Sequence, residues 1–209
     1  MAITTYSELQ TAVANWLNRS DLTTYIPDFI TLCEKKLNRD LLSGGMFVRG
    51  MEKRSNTTTV GGQNNYGLPS DFLQMRSVMV DAATNSIVEY MTPDKIRQYE
   101  AGTSQDRPRF YTIIGDEMLF APVPSGTYTI EIDYFGSVTA LSDSNTTNWF
   151  TTNAPDLLVY GSLIQAELFI KNDPRVQSWK TMYDMHLDAL LEADQVSRYP
   201  ATTMMPRVL

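Results

Sequence analysis

The chain has 209 residues, of which 43% are hydrophobic and 20% are charged, so it has a globular composition and can bury one good core or two small ones. Its formal net charge of −7 argues against tight nucleic-acid binding, which needs clustered Lys and Arg, but does not exclude a protein that DNA merely passes. One cysteine excludes an intramolecular disulfide, and the sequence shows neither a signal-peptide pattern nor an apolar run of about 20 residues. We therefore predict a soluble protein that is made in a cytoplasm and has no membrane partner.

The start of the chain predicts two amphipathic helices. The first covers residues 5–19, where Thr5 and Glu8 stand at the spacing of a capping box, ahead of apolar residues at helical intervals. The second covers residues 22–42, with Pro27 near its start, where a missing amide proton costs least. The apolar stripe of this helix indicates that one side faces a core.

From Phe47 to Val138 the sequence changes to a β-type pattern that is rich in Thr, Val, Ile, Tyr and Gly. Short strands are predicted at residues 57–60, 73–80, 86–90, 110–114, 118–121 and 128–134. Thr92 and Pro93 form a cap and first-turn pair, which predicts one short helix over residues 94–100.

Two helices follow the β-type region. One begins at Asn153-Ala154-Pro155 and runs to about Lys171, and the next begins at Asp173-Pro174 and runs to about Val196. The final stretch, RYPATTMMPRVL, has no helical period and ends in mostly apolar side chains. The simplest fold is α+β, in which the N- and C-terminal helices form a four-helix bundle with an inserted antiparallel β-rich domain and an extended C-terminal tail. The predicted boundaries are residues 1–46 and 151–197 for the bundle, 47–150 for the insertion and 198–209 for the tail.

The sequence contains no recognisable catalytic or metal-binding arrangement. Its one histidine, His186, lies beside apolar residues on the last helix, and Cys33 has no Cys or His companion, so we predict neither a metal nor a cofactor. The patterns GxSxG, GxxxxGK[ST] and GxGxxG are absent, and the carboxylates Glu131 and Asp133 fall on an exposed strand face. We therefore predict that the chain is not an enzyme and acts through surfaces that bind partners.

The order and spacing of short motifs are similar to those of tailed-bacteriophage head-to-tail adaptor proteins, in particular the podovirus adaptors that resemble tail tubular protein A. In the opening part the matching motifs are Tyr6-Ser7-Glu8-Leu9, Trp16-Leu17-Asn18-Arg19, Ile26-Pro27-Asp28-Phe29-Ile30, Glu34 and Leu37-Asn38-Arg39. In the middle they are Leu68-Pro69-Ser70-Asp71-Phe72, Tyr90-Met91-Thr92-Pro93, Arg107-Pro108 and Pro122-Val123-Pro124. In the closing part they are Leu141-Ser142-Asp143, Thr147-Asn148-Trp149, Ala154-Pro155-Asp156-Leu157, Tyr160-Gly161 and Asp173-Pro174-Arg175-Val176. Each motif alone is weak, but together they cover nearly the whole chain in a specific order.

This resemblance implies a structural virion protein of the head-tail junction, present in the host cytoplasm during assembly. Such adaptors form a ring of about twelve copies beneath the portal protein, extend the DNA channel, and support the tail nozzle protein and often tail fibres. Genomic DNA passes through the ring without specific binding. The resemblance also implies that the C-terminal segment docks on the portal, and the candidate residues are Tyr199, Pro200, Met204, Met205, Pro206, Arg207, Val208 and Leu209.

Two further segments are candidate surfaces of such a ring. Arg107 and Arg109 flank a proline at the start of a strand, where they form a solvated face, an ion pair between subunits or a DNA-binding stripe. The loop of residues 56–65 is long and polar, so it either lies on a rim facing the tail or the channel, or is a plain flexible hairpin.

Two other functions stay open at this point. One is a head-completion or tail-terminator ring protein of a long-tailed phage, which differs in the partner that its tail binds. The other is a virion-associated hydrolase, against which the missing catalytic pattern argues.

Overall fold

The structure is a computed structural model that describes residues 3–81, 86–102, 104–170 and 174–198. It divides into two compact units, which we call the helical unit (residues up to Gly50 and from Val138 onward) and the β unit (Met51–Ser137). The predicted insertion, residues 47–150, contains the β unit and extends beyond both its limits. The predicted tail lies outside the described residues except for Arg198.

The α+β class is confirmed, because the described residues contain both α-helices and two sheets. The helices are α1 (Tyr6–Leu17), α2 (Ile26–Gly44), α3 (Pro93–Ala101), α4 (Trp149–Asn153), α5 (Pro155–Ile170) and α6 (Val176–Arg198). The strands are β1 (Glu52–Thr58), β2 (Asn65–Gly67), β3 (Phe72–Val80), β4 (Ser86–Ile87), β5 (Glu89–Tyr90), β6 (Phe110–Ile114), β7 (Glu117–Ala121) and β8 (Thr129–Gly136). The finer prediction of a four-helix bundle stays a prediction.

The start of α1 shows how local chemistry sets a helix end. The amide of Glu8 donates to Thr5 Oγ1 at 3.3 Å, and the amide of Thr5 donates to Glu8 Oε2 at 3.0 Å, so the predicted capping box is confirmed. The helix ends at Asn18, whose φ of 52° is left-handed and stops the helical hydrogen bonding. The predicted start of the second helix at Leu22 is wrong, because a 3₁₀ turn, Thr23–Tyr25, precedes α2.

Helix α5 is the centre of the helical unit, since it contacts α1, α2, α4 and α6. Its buried side chains lie on several sides, among them Leu157, Leu158, Leu163 and Ala166. A helix that is apolar all round belongs in a core rather than at a surface.

The β unit consists of two four-stranded sheets with the strand orders β1-β8-β3-β4 and β2-β7-β6-β5. All neighbours are antiparallel except β5 and β6. Burial alternates along β8, where Ile130, Ile132 and Tyr134 enter a core that also contains Tyr66 and Phe120 from the other sheet. Glu131 and Asp133, which were predicted on an exposed face of this strand, lie on the side opposite these apolar residues and are half-buried.

Three strand predictions need correction. The strand predicted at residues 57–60 has the wrong bounds, because β1 covers Glu52–Thr58, where its pairing with β8 fixes it. The single strand predicted at residues 86–90 is two strands, of which β4 pairs with β3 and β5 pairs with β6 in the other sheet. Strand β2 was not predicted, because its three residues are too few to give a periodic signal in the sequence.

Candidate functional site

The end of α6 forms a fixed base for the segment that follows it. Asp194 is only 6% exposed, and it accepts hydrogen bonds from Arg198 Nε at 2.8 Å and from the amide of Arg49 at 3.0 Å. Arg198 also donates from Nη2 to the carbonyl oxygen of Phe47 at 2.6 Å. These charge-assisted bonds hold the last described residue at a defined place. We call this cluster of four residues the tail base.

The residues beside the tail base are also closely packed. A Cβ added to Gly50 would lie 2.2 Å from Cγ of Trp149, so only glycine allows the indole to cover the backbone there. A small cavity of about 160 Å³ opens next to it, lined by Arg49, Trp149, Asn153, Leu190, Ala193, Asp194 and Ser197. The tail base therefore lies on a well-packed part of the helical unit.

The predicted portal-binding residues, Tyr199, Pro200, Met204, Met205, Pro206, Arg207, Val208 and Leu209, all lie outside the described residues. Their role stays a prediction. The structure adds the point from which they depart, at Arg198.

A buried carboxylate holds the segment that leads back from the β unit. Glu34 is 5% exposed and accepts hydrogen bonds from the amide of Leu141 at 3.1 Å and from Asn148 Nδ2 at 2.9 Å. Burial raises the pKa of Glu34 above its ordinary value, although these two bonds oppose the shift. Asn148 also caps α4 by accepting from the amide of Thr151 at 3.0 Å. This network explains why residues from Val138 to Asn148 belong to the helical unit and not to the β unit.

The outer face of the first sheet is a charged surface whose ions are paired within the chain. Arg54 Nε donates to Asp133 Oδ1 at 2.7 Å, and its Nη1 lies 3.4 Å from Glu131 Oε1. The Arg54 bond lowers the pKa of Asp133, and a hydrogen bond from Ser77 Oγ at 3.0 Å adds to this effect. Such exposed pairs contribute little stability but keep the face polar.

The basic residues Arg107 and Arg109 are both paired inside the chain. Arg107 donates from Nη2 to the carbonyl oxygen of Val80 at 2.7 Å and lies 3.5 Å from Asp81 Oδ2. Arg109 Nη2 donates to Asp106 Oδ2 at 3.3 Å. These contacts favour neither an ion pair between subunits nor a DNA-binding stripe.

The alternative of a plain flexible hairpin at residues 56–65 is wrong. The loop leaves β1, which pairs with β8, and enters β2, which pairs with β7, so it crosses from one sheet to the other. Tyr66 Oη accepts from the amide of Val60 at 2.9 Å and donates to the carbonyl oxygen of Gln63 at 2.9 Å. Asn64 Nδ2 donates to Glu100 Oε1 at 2.6 Å. The location on a rim facing the tail or the channel stays a prediction.

His186 and Cys33 lie in structural surroundings. His186 Nδ1 is 2.5 Å from Asp156 Oδ2, and its ring lies 5.3 Å from that of Tyr160. Burial raises the pKa of the Cys33 thiol to about 12, which makes it a packing group rather than a nucleophile. Among the residues with described positions, no group of three or more His, Cys, Asp or Glu side chains could hold a metal ion. No helix in that part of the chain is long and apolar enough to cross a membrane.

The tail base and the Glu34 network were not predicted from the sequence. One local signal was available for each, because Asp194 and Arg198 stand at the i,i+4 spacing of helical ion pairs and Asn148 precedes Thr151 at cap spacing. The partners Phe47 and Leu141 are distant in sequence, so no pattern could connect them.

The fold is that of an α+β protein, and the polar side chains described above take part in caps, ion pairs and packing within the chain. The sequence profile of the SU10 adaptor protein family matches residues 4–207, so the chain belongs to this family of phage adaptors. Membership indicates a structural virion component rather than an enzyme. A comparison with curated proteins finds no match.

Proposed function

We propose that the chain forms an adaptor ring that joins the portal protein to the tail nozzle of a short-tailed phage and extends the DNA channel. The observation that carries this proposal is the family match, which runs through the tail as far as Arg207. The partners are further copies of the chain, the portal protein, the nozzle protein and tail fibres, and the ring has about twelve copies.

The geometry of the tail base supports docking of the tail on the portal. Arg198 is fixed by Asp194 and Phe47, so everything beyond it starts from a defined point. The following residues, Tyr199 to Leu209, could span up to about 36–40 Å when extended. Their methionines suit irregular apolar pockets, and their prolines reduce the entropy lost on docking.

The charge of the chain supports a channel through which DNA moves freely. At a net charge of −7 the subunit has an excess of carboxylates over cations, so phosphates gain little from counterion release at its surface. A ring of such subunits would let DNA slide without holding it.

The test is the mass of the protein in solution, measured by light scattering or native mass spectrometry, alone and with the portal. Three chains are compared: the full chain, a chain that ends at Arg198, and a control in which residues 199–209 are scrambled at constant composition. Ending at Arg198 keeps the tail base intact. We expect only the full chain to assemble on the portal.

Two results would contradict parts of the proposal. Failure of the full chain to bind the portal refutes the adaptor function, and binding to a tail-terminator partner instead would favour the long-tailed alternative. Equal assembly of the scrambled chain would show that the tail sequence does not recognise the portal.

A further inference from the structure

A groove of about 260 Å³ lies on the helical unit. It is lined by Ile3, Trp16, Pro155, Asp156, Val159 and Tyr160. We call it the aromatic groove. Its lining is mostly apolar and includes one carboxylate, that of Asp156, so it suits a ligand that is apolar with one positive charge.

The walls of the aromatic groove are held in place. Trp16 contacts Tyr160 edge-on at 5.8 Å between ring centroids and Trp179 at 5.5 Å. Asp156 is held by His186. Trp16 is nevertheless 46% exposed, so a large aromatic surface faces solvent at a preformed site.

The sequence beyond Arg198 has the matching chemistry. Met204, Met205 and Pro206 are consecutive apolar residues, and Arg207 follows them directly. Methionine side chains adapt to aromatic surfaces through sulfur contacts. A guanidinium beside this apolar run could pair with the carboxylate of Asp156.

The length of the tail determines which of its residues can reach the aromatic groove. His186, which contacts the groove residue Asp156, precedes Arg198 by 12 positions on α6, which corresponds to about 18 Å along the helix. Met204 follows Arg198 by six positions in the sequence and can therefore reach about 20–22 Å. Pro200 can reach only about 7 Å. Met204 is thus the first large apolar residue of the tail that can reach the level of the groove.

We propose that Met204 to Arg207 of the chain's own tail occupy the aromatic groove in the free protein, with Arg207 facing Asp156. The tether at Arg198 favours this contact over binding to another copy, because it gives the tail a high effective concentration at its own groove. The inference goes beyond the proposed function, since it concerns the free chain and needs no portal. A stored tail would have to leave the groove before it could dock elsewhere.

The test is photocrosslinking in the full-length chain without any portal. Benzoylphenylalanine replaces Met205, the sample is illuminated, and crosslinked peptides are mapped by mass spectrometry. The matched control places the same group at Pro200, whose backbone can extend only about 7 Å from Arg198. We expect crosslinks to Trp16, Val159 or Tyr160 from position 205 and none of these from position 200.

Mixing ¹⁵N-labelled and unlabelled protein separates contacts within one chain from contacts between copies. Crosslinks that join a labelled and an unlabelled peptide would overturn the proposal and assign the groove to a second copy. Crosslinks from position 205 that avoid the groove, or equal groove crosslinking from position 200, would also overturn it.

Charge exchange tests the pairing, and Asp156→Lys alone measures what loss of the His186 contact does to the groove. Arg207→Glu should lower the yield of groove crosslinks about two- to fivefold, as expected for loss of an exposed ion pair. Asp156→Lys in the same chain should restore it. An unchanged yield in Arg207→Glu, or no recovery in the double variant, would refute the assigned pair. Portal assembly is measured separately. If the tail does not bind the groove, the adaptor proposal is unaffected. If the chain does not assemble on the portal, the groove proposal is unaffected.

Discussion

A close crossing of two helices offers a sharp test of the fold. Helices α2 and α5 meet at Gly161, where an added Cβ would lie 2.3 Å from Cys33 Sγ and 3.2 Å from Tyr183 Cε2. Both neighbours are fully buried, so neither side chain can move into solvent. We expect Gly161→Ala to lower the free energy of unfolding by about 1–3 kcal/mol through overpacking. This is a net cost, because alanine in a helix interior would otherwise gain about 0.5–1 kcal/mol over glycine.

Removal of the sulfur should reverse the effect. Cys33→Ala deletes Sγ and leaves only Cβ, which lies 3.4 Å from the added Cβ at Gly161. On its own this change should cost about 0.5–1.5 kcal/mol for the lost buried atom. In the Cys33→Ala background, however, Gly161→Ala fills the vacated space and should be neutral or stabilising by up to about 1 kcal/mol.

The assay is urea unfolding of the four chains of this double-mutant cycle, followed by circular dichroism, with midpoints and slopes compared. Gly102→Ala is the control, because no atom lies within 4 Å of its added Cβ, and we expect it to change stability by less than about 0.5 kcal/mol. If Gly161→Ala costs the same with and without the cysteine sulfur, the two helices do not meet as described.

Two further changes test the buried carboxylates of the helical unit. Asp194→Ala should lower the free energy of unfolding by about 1–3 kcal/mol, because Arg198 and the amide of Arg49 lose their acceptor. Asp188→Ala, at an exposed position of the same helix, should change it by less than about 0.5 kcal/mol, and equal losses in urea unfolding would contradict the tail base. For Glu34, burial raises the pKa in the folded protein above the ordinary 4.5, so the folded state binds more protons than the unfolded state between these two values. Its contribution to stability therefore falls as pH rises through that window, and the stability of wild type minus that of Glu34→Gln should decrease there; a difference that stays flat with pH would refute the assignment.

Elements with strong local chemistry could be predicted from the sequence. The capping box of Thr5 and Glu8 sets the start of α1, and alternation along β8 separates Ile130 and Ile132 from their polar neighbours. In such cases the residues that decide the structure are neighbours in the chain. Short elements such as α4 and β2 escaped because five or three residues carry too little periodicity.

Strand β1 shows why other elements could not be predicted. Its sequence, EKRSNTT, has no alternation of apolar residues and is polar throughout. It is a strand because each of its residues pairs with β8, and because Arg54 finds the carboxylates of that partner. Because its partner β8 is distant in the chain, the sequence of β1 has no pattern that predicts this pairing.

Part of the candidate site could likewise be predicted from the sequence, and part could not. The pair of Asp194 and Arg198 is local and visible as an i,i+4 spacing. Phe47 and Arg49 lie 151 and 145 positions away from their partners, so only the fold brings them to the end of α6. The sequence could therefore identify an apolar tail but not the base to which it is fixed.

Several of the motifs that resemble phage adaptors have structural roles in this protein. Leu141 and Asn148 bind Glu34, Trp149 covers Gly50, and Gly161 permits the crossing of α2 and α5. These motifs thus identify the family by fixing how the helical unit is built. The chemistry proposed for partner binding lies instead in the tail, beyond the described residues. We therefore expect substitutions in the tail to alter partner binding without altering how the helical unit is built.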